Sequence, residues 1–119
     1  MIKAYQLITG DDGHSHILTG HVAENQISKA TSVHFKETVP GTYYSWHTAP
    51  TTQFVLTLTG TLEFTVHSGE KFVLKAGEVL IAMDTAGSGH TWQMLGNEPW
   101  KRAYVVFEEK EPVGFIEDI

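Results

Sequence analysis

The chain contains no cysteine, only four prolines and no long apolar run. Without cysteine, disulfides, thiolate metal sites and cysteine nucleophiles are excluded, and the absence suits a reducing cytoplasm. No segment approaches the roughly 18 apolar residues of a membrane-spanning helix, and the apolar stretch at the N-terminus is too short for a signal peptide. These absences predict a soluble, cytoplasmic protein that does not bind a membrane.

Basic residues are also scarce, with eight Lys and Arg against fourteen Asp and Glu and a net charge of −6. The densest basic pair is Lys101-Arg102. Binding to nucleic acid through its phosphates needs a concentrated basic patch, so we exclude nucleic acid as a partner. The chain has 119 residues, 41% of them hydrophobic and 18% charged. This composition is typical of a folded chain and predicts a single domain over residues 1–119.

What the chain has in abundance is alternation of polar and apolar residues with a period of two. Residues 61–67 alternate in this way, Ser68-Gly69 is typical of a tight turn, and residues 71–74 follow as a partner strand. Many short strands separated by glycines predict an all-β sandwich or barrel. Residues 22–29 suit either one helical turn or a strand edge. The other predicted strands are 28–36, 53–58, 79–83, 90–94 and 103–107.

Three potential metal ligands follow turn glycines. His47 stands six positions after Gly41, and Gln53 follows six positions later. His90 comes directly after Gly89, which allows the backbone to turn sharply. Imidazole nitrogens bind first-row divalent metals, whereas a glutamine amide supplies no negative charge. Hydrogen bonding inside the protein explains the three residues equally well, so both roles remain open.

The spacing from Gly41 to Gly60 resembles the first cupin motif. That motif is Gly, five residues, His-x-His, three or four residues, Glu, six residues, Gly. His47 occupies the first histidine position, whereas Ala49 stands in place of the second histidine and Gln53 in place of the glutamate. The match of spacing is complete, and the two replacements weaken the metal site that the resemblance implies.

The segment from Asp84 to His90, read Asp-Thr-Ala-Gly-Ser-Gly-His, is similar to part of the second motif in small single-domain cupins. Met83, Thr85 and Met94 replace the proline, glycine and asparagine of that motif. The resemblance covers roughly residues 41–107 and leaves an N-terminal strand and an acidic C-terminal tail at the periphery.

The resemblance implies an all-β, cupin-type jelly-roll β-barrel of about eight strands. It also implies a homodimer, in which the N-terminal strand at residues 4–9 takes part, because such barrels pair or close their sheet edges. The implied metal ligands are His47, Gln53 and His90, which would hold a divalent metal such as Fe, Ni, Zn or Mn only weakly.

Aromatic residues flank these positions, and an aromatic pocket with a few polar groups suits a small organic ligand. Ordinary core packing is the alternative for at least half of them. The predicted ligand-binding residues are Tyr44, Trp46, Trp92, Met94 and Tyr104.

Three functions follow. The first is a small organic molecule bound in the lumen, with a weakly held divalent metal and metal-dependent oxygenase or isomerase activity. The second is a non-catalytic, metal-free ligand-binding or sensor barrel. The third is a structural domain with a packed lumen. The sequence identifies no catalytic residue and leaves open whether the protein is an enzyme.

Further polar residues are predicted to lie away from the site. His34 alternates with Val33 and Phe35, and because the more apolar set normally faces the core, we expect His34 on the outer face. We expect His14 and His16 in a loop. Asp84 is expected to bond to the backbone of its own turn.

Overall fold

The computed structural model describes all residues from 1 to 119 and shows eleven β-strands and no helix. The all-β class is confirmed. The structure thus has no helix with the length and hydropathy needed to span a bilayer. The strands are β1 (Ile2–Thr9), β2 (Ser15–Val22), β3 (Ser32–Thr38), β4 (Tyr43–His47), β5 (Gln53–Thr59), β6 (Thr61–Val66), β7 (Lys71–Lys75), β8 (Val79–Met83), β9 (His90–Leu95), β10 (Trp100–Val106) and β11 (Phe115–Glu117).

The strands form two sheets. Seven strands lie in the order β11-β2-β1-β8-β5-β10-β3, and four lie in the order β4-β9-β6-β7. All neighbours are antiparallel except β1 and β8, which run parallel. Hydrogen bonding gives two sheets, so closure into a barrel stays a prediction. Strand β1 pairs on both sides with strands of its own chain, and the homodimer also stays a prediction.

The core lies between the inner faces of the two sheets. Successive side chains of a strand point to opposite faces, and β6 accordingly buries Leu62, Phe64 and Val66 while its intervening residues are less buried. These side chains join Leu7 and Val55 of the larger sheet in one cluster of 13 buried residues. The period-two pattern therefore identified the buried face of β6.

The expected orientation of β3 is wrong. Val33 and Phe35 are 55% and 72% exposed, whereas His34 stacks on Tyr104 with ring centroids 4.9 Å apart. The reason is register: β3 is the edge strand of the larger sheet, and its pairing with β10 places His34 opposite Tyr104. Register fixes the face of every side chain in a strand, and here it outweighs the apolar pattern.

Some predicted elements differ from those observed. Residues 23–31 form turns and loop with no helix, and Asn25 has a left-handed backbone with φ of 64°. His14 lies in the turn that precedes β2, but His16 lies within β2, so the predicted loop is wrong for His16. The C-terminal tail returns to the larger sheet, where β11 pairs with β2.

Candidate functional site

A cavity of about 800 Å³ lies between the two sheets. This volume falls within the ~300–1,000 Å³ typical of small-molecule sites. Side chains from both sheets line it, including His90 and Trp92 on β9 and Arg102 and Tyr104 on β10. The packed lumen of a purely structural domain is therefore not what the structure shows.

The three predicted metal ligands all line this cavity, as do Tyr44, Trp92 and Tyr104 among the predicted ligand-binding residues, and His34 joins them. Tyr44 and His47 are an odd number of positions apart, yet both line it, because the β4–β9 register shifts between them.

Trp46 and Met94 do not line the cavity. Trp46 is adjacent to His47 on β4 and is 51% exposed, as expected because neighbouring side chains alternate between faces. Met94 shares the inner face of β9 with Trp92 but is packed into the hydrophobic core cluster.

A fully buried carboxylate holds His90 in place. Asp84 follows the end of β8 and is 0% exposed. Its Oδ2 atom lies 2.6 Å from Nδ1 of His90 and accepts a second 2.6 Å hydrogen bond from Oγ of Ser15. The expectation that this side chain bonds to its own turn is therefore wrong. Its other oxygen, Oδ1, is buried and has no hydrogen-bond partner.

The bond to Asp84 determines what His90 offers to the cavity. A carboxylate only accepts hydrogen bonds, so the imidazole donates from Nδ1. Nε2 of His90 is then left free as an acceptor, the usual result when a second group orients a histidine through its other nitrogen. The structure thus presents a single, defined nitrogen of this ring.

His47 presents its ring in the same way. Its Nδ1 donates a 2.7 Å hydrogen bond to the backbone carbonyl of Ser45, which leaves Nε2 free. The two residues are paired in register across β4 and β9, and their ring centroids lie 4.5 Å apart. Burial lowers the pKa of His47, and this outweighs the hydrogen bond to Ser45 and the charge of Asp84, which both raise it. With a pKa below its ordinary value of 6.5, His47 is mainly uncharged at pH 7.

The lowered pKa of His47 predicts how stability depends on pH. His47 takes up a proton near the ordinary histidine pKa of 6.5 in the unfolded chain, and only at lower pH in the folded protein. The free energy of unfolding should therefore be highest above pH 6.5 and fall as the pH drops through the folded-state pKa. Urea unfolding at several pH values between pH 8 and pH 5 measures this change in the free energy of unfolding. His47→Gln should show a smaller fall than wild type, and an equal fall would contradict the assignment.

The residues at this site do not fit a tightly held metal. His47 and His90 offer two nitrogens, and Gln53 adds only a neutral amide. Ala49 lines the wall where the resemblance requires a second histidine. No group of three or more His, Cys, Asp or Glu side chains is placed to hold a metal ion. Ligation of a metal ion by His47, Gln53 and His90 therefore stays a prediction.

Sequence reasoning missed Arg102, which is 2% exposed and lines the cavity. Its Nε donates to the hydroxyl of Tyr104 at 2.9 Å, and its Nη1 donates to Oγ1 of Thr38 at 2.6 Å and to the carbonyl of Trp100 at 3.1 Å. The guanidinium carbon lies 3.7 Å from the ring centroid of Trp100. Period-two spacing from Trp100 to Tyr104 was the signal that would have placed this side chain on the inner face.

Comparison with known proteins defines the fold. No protein-family model matches the chain. A solved structure of an uncharacterized conserved protein with a double-stranded β-helix domain from Klebsiella pneumoniae aligns with a TM-score of 0.51. The alignment covers 84% of this chain and 90% of that chain, at 22% sequence identity. The protein thus has the double-stranded β-helix fold, the cupin-like jelly roll expected from the resemblance.

One curated relative is similar in sequence. The chain is 31% identical over 74 residues to Oryzines biosynthesis cluster protein J of Aspergillus oryzae. The match covers 62% of this chain and 40% of that protein, so the chain spans less than half of the relative's length.

Proposed function

We propose that the protein binds a small organic molecule in the cavity and that His90 moves a proton to or from it, as in an isomerisation. The observation that carries this proposal is the buried carboxylate of Asp84, 2.6 Å from Nδ1 of His90 on the cavity wall. A carboxylate placed behind a histidine in this way is the arrangement by which enzymes orient a general base.

The two residues divide the work. Asp84 fixes the Nδ1–H tautomer of His90 and stabilises the imidazolium that forms when Nε2 accepts a proton. A proton taken from the carbon beside a carbonyl leaves an enolate. Where that enolate is conjugated with a carbon–carbon double bond, return of the proton at the far carbon shifts the double bond and completes the isomerisation without an oxidant or reductant.

Two other side chains of the cavity fit this chemistry. Gln53 is only 6% exposed and lines the cavity, and its side-chain amide makes no hydrogen bond within the protein, so its NH₂ group is available to an enolate oxygen. Hydrogen-bond donors aimed at developing charge lower the barrier of such reactions. His47, mainly uncharged at pH 7 and with Nε2 free, supplies a second proton acceptor beside His90.

The relative supports a role with small molecules. Its name places it in a biosynthesis cluster, and biosynthesis of this kind proceeds by steps on small organic compounds. The oxygenase activity implied by the cupin resemblance receives no support from the donor set, because the position of the acidic ligand is occupied by Gln53 and that of the second histidine by Ala49.

A non-catalytic binding protein is the second candidate. The same two replacements leave a cavity that retains its volume and aromatic lining while losing ligand side chains typical of cupin metal sites. In that case the protein would bind the ligand without transferring a proton to or from it.

Proton exchange in D₂O tests the proposal without knowledge of the product. The protein, treated with a chelator, is incubated with a panel of small 2-oxo and 3-oxo carboxylic acids, and ¹H NMR follows replacement of the hydrogens beside the carbonyl. We expect exchange by wild type and by His67→Gln, whose side chain lies outside the cavity, and loss of exchange in His90→Gln.

The other outcomes discriminate between the candidates. Binding of the acids without exchange would favour the non-catalytic protein. Exchange that requires an added divalent metal would restore the metal-dependent function and refute the metal-free mechanism proposed above.

A further inference from the structure

We propose that Arg102 binds the carboxylate of the ligand, and that the ligand is a small, planar aromatic or conjugated carboxylic acid. This inference rests on the proposed function, because it names the class of molecule for the same cavity.

Arg102 is a buried cation without a counterion. No carboxylate lies within 4.0 Å of its guanidinium, and all its hydrogen-bond acceptors are neutral oxygens. Burying a charge without an opposite charge is costly in free energy. A ligand carboxylate would provide the missing negative charge. The two parallel N–H groups of a guanidinium match the two oxygens of a carboxylate better than they match an anion with a single oxygen.

The groups around Arg102 are arranged to donate. Its Nη2 makes no hydrogen bond within the protein. The hydroxyls of Tyr104 and Thr38 accept from the guanidinium, which leaves their own hydrogens available. Lys36 adds a second positive charge to the lining, and Glu37 is the single acidic residue there. The lining as a whole therefore favours an anion.

An aromatic wall connects Arg102 with the proposed base. Trp100 lies under the guanidinium and meets Trp92 edge to face, with centroids 5.0 Å apart. Phe64 is 6.5 Å from Trp100 and 5.7 Å from the ring of His90. A ligand whose carboxylate lies at Arg102 would therefore extend along aromatic rings towards His90. Flat, unsaturated molecules pack well on such rings.

Arg102 and His90 also belong to different sheets, on β10 and β9. The carboxylate would be fixed by the larger sheet and the reacting carbon would be presented to the smaller one. In this arrangement Arg102 orients the ligand and does not take part in the proton transfer.

Matched pairs of acid and amide test the inference. Benzoate with benzamide and cinnamate with cinnamamide have nearly the same shape and differ in charge. Dissociation constants are measured by ligand-observed NMR titration. We expect wild type to bind each acid about 10- to 100-fold more tightly than its amide, the usual effect of a charged hydrogen-bonded pair.

Variants at two adjacent positions separate the local effect from total charge. Arg102→Met should remove the preference for the acid. Lys101→Met removes an equal charge from the next residue, which is exposed and outside the cavity, and should keep the full preference. Arg102→Lys retains the charge without the forked geometry, so its preference for the acid should be smaller than that of wild type. This variant also tests the role of Arg102 if Arg102→Met fails to fold.

The outcomes distinguish this inference from the proposed function. Equal binding of acid and amide by wild type would overturn the role of Arg102 and leave a small-molecule cavity intact. An acid preference that is unchanged in Arg102→Lys and Arg102→Met would also overturn it. Failure of every acid and every amide to bind would overturn the aromatic class of ligand named here, whereas the proposed function is refuted separately, by absence of both binding and exchange with the 2-oxo and 3-oxo acids.

Discussion

Replacement of Asp84 by Asn is expected to slow proton exchange by about 10²- to 10⁴-fold, the effect seen when the carboxylate behind a catalytic histidine becomes an amide. Oδ2 of Asp84 accepts from both His90 and Ser15. An amide cannot stabilise the imidazolium and no longer enforces the Nδ1–H tautomer. Its NH₂ group would also be buried where Oδ1 now has no partner, at a cost of about 1–3 kcal/mol in the free energy of unfolding.

Three measurements separate the loss of catalysis from the loss of stability. Exchange in D₂O at saturating ligand gives the rate, and urea unfolding gives the stability. The ¹⁵N shifts of the His90 ring report its tautomer, which a merely structural role would leave unchanged. Ser15→Ala is the matched control, since it removes one bond to the same oxygen and should cost about 1 kcal/mol while keeping the tautomer. Exchange by Asp84→Asn within about twofold of wild type would refute the role of Asp84.

Replacement of Gly89 by Ala is expected to cost more than about 3 kcal/mol in the free energy of unfolding, from a strained backbone together with a steric clash. Gly89 has φ of +73°, and an added Cβ would lie 2.1 Å from the carbonyl oxygen of His47. That oxygen belongs to backbone, so the chain itself would have to move. Because β4 and β9 meet here, the variant should also separate His47 from His90 and weaken ligand binding.

Gly96, at the other end of β9, provides the control. It has the same φ of +73°, but a Cβ there would meet nothing within 4 Å. Gly96→Ala should therefore show only the left-handed strain, about 1–2 kcal/mol, and should bind ligand normally. Urea unfolding followed by circular dichroism gives the free energy of unfolding of both variants. Equal losses in the two variants would show that the close approach at Gly89 does not matter.

Local pattern was enough to predict much of the sheet structure. Strands β6 to β9 were placed by alternation or apolar runs between glycines, and their observed bounds differ from the predicted ones by no more than one residue. Strands β2, β4 and β11 were missed, because histidines, clustered aromatics and a short terminal segment give no clear alternation. The face of β3 was wrong because the pairing partner of an edge strand cannot be read from the strand itself.

The site was predictable only where motif spacing carried it. The spacing of the resemblance pointed to His47, Gln53 and His90, which the structure places around one cavity. The partners of His90 were not visible, because Ser15 lies 69 positions from Asp84 and a contact at that distance depends on the whole fold. Arg102 was missed because the predicted strand began only at residue 103, whereas β10 begins at Trp100 and includes Arg102. The metal, the homodimer and the single domain remain predictions.

The central position of β1 has a consequence for the order in which the molecule assembles. Its hairpin with β2 joins neighbouring residues, but its other partner, β8, is synthesised more than ~70 residues later. Pairings between distant segments form slowly, because the chain loses entropy before it gains contacts. During synthesis the side of β1 that will pair with β8 therefore stays unpaired, and unpaired strand edges are prone to aggregation. The hydrogen bond from Ser15 to Asp84 also joins these distant segments, so the proposed proton-transfer site is completed only when the first and last thirds of the chain have met.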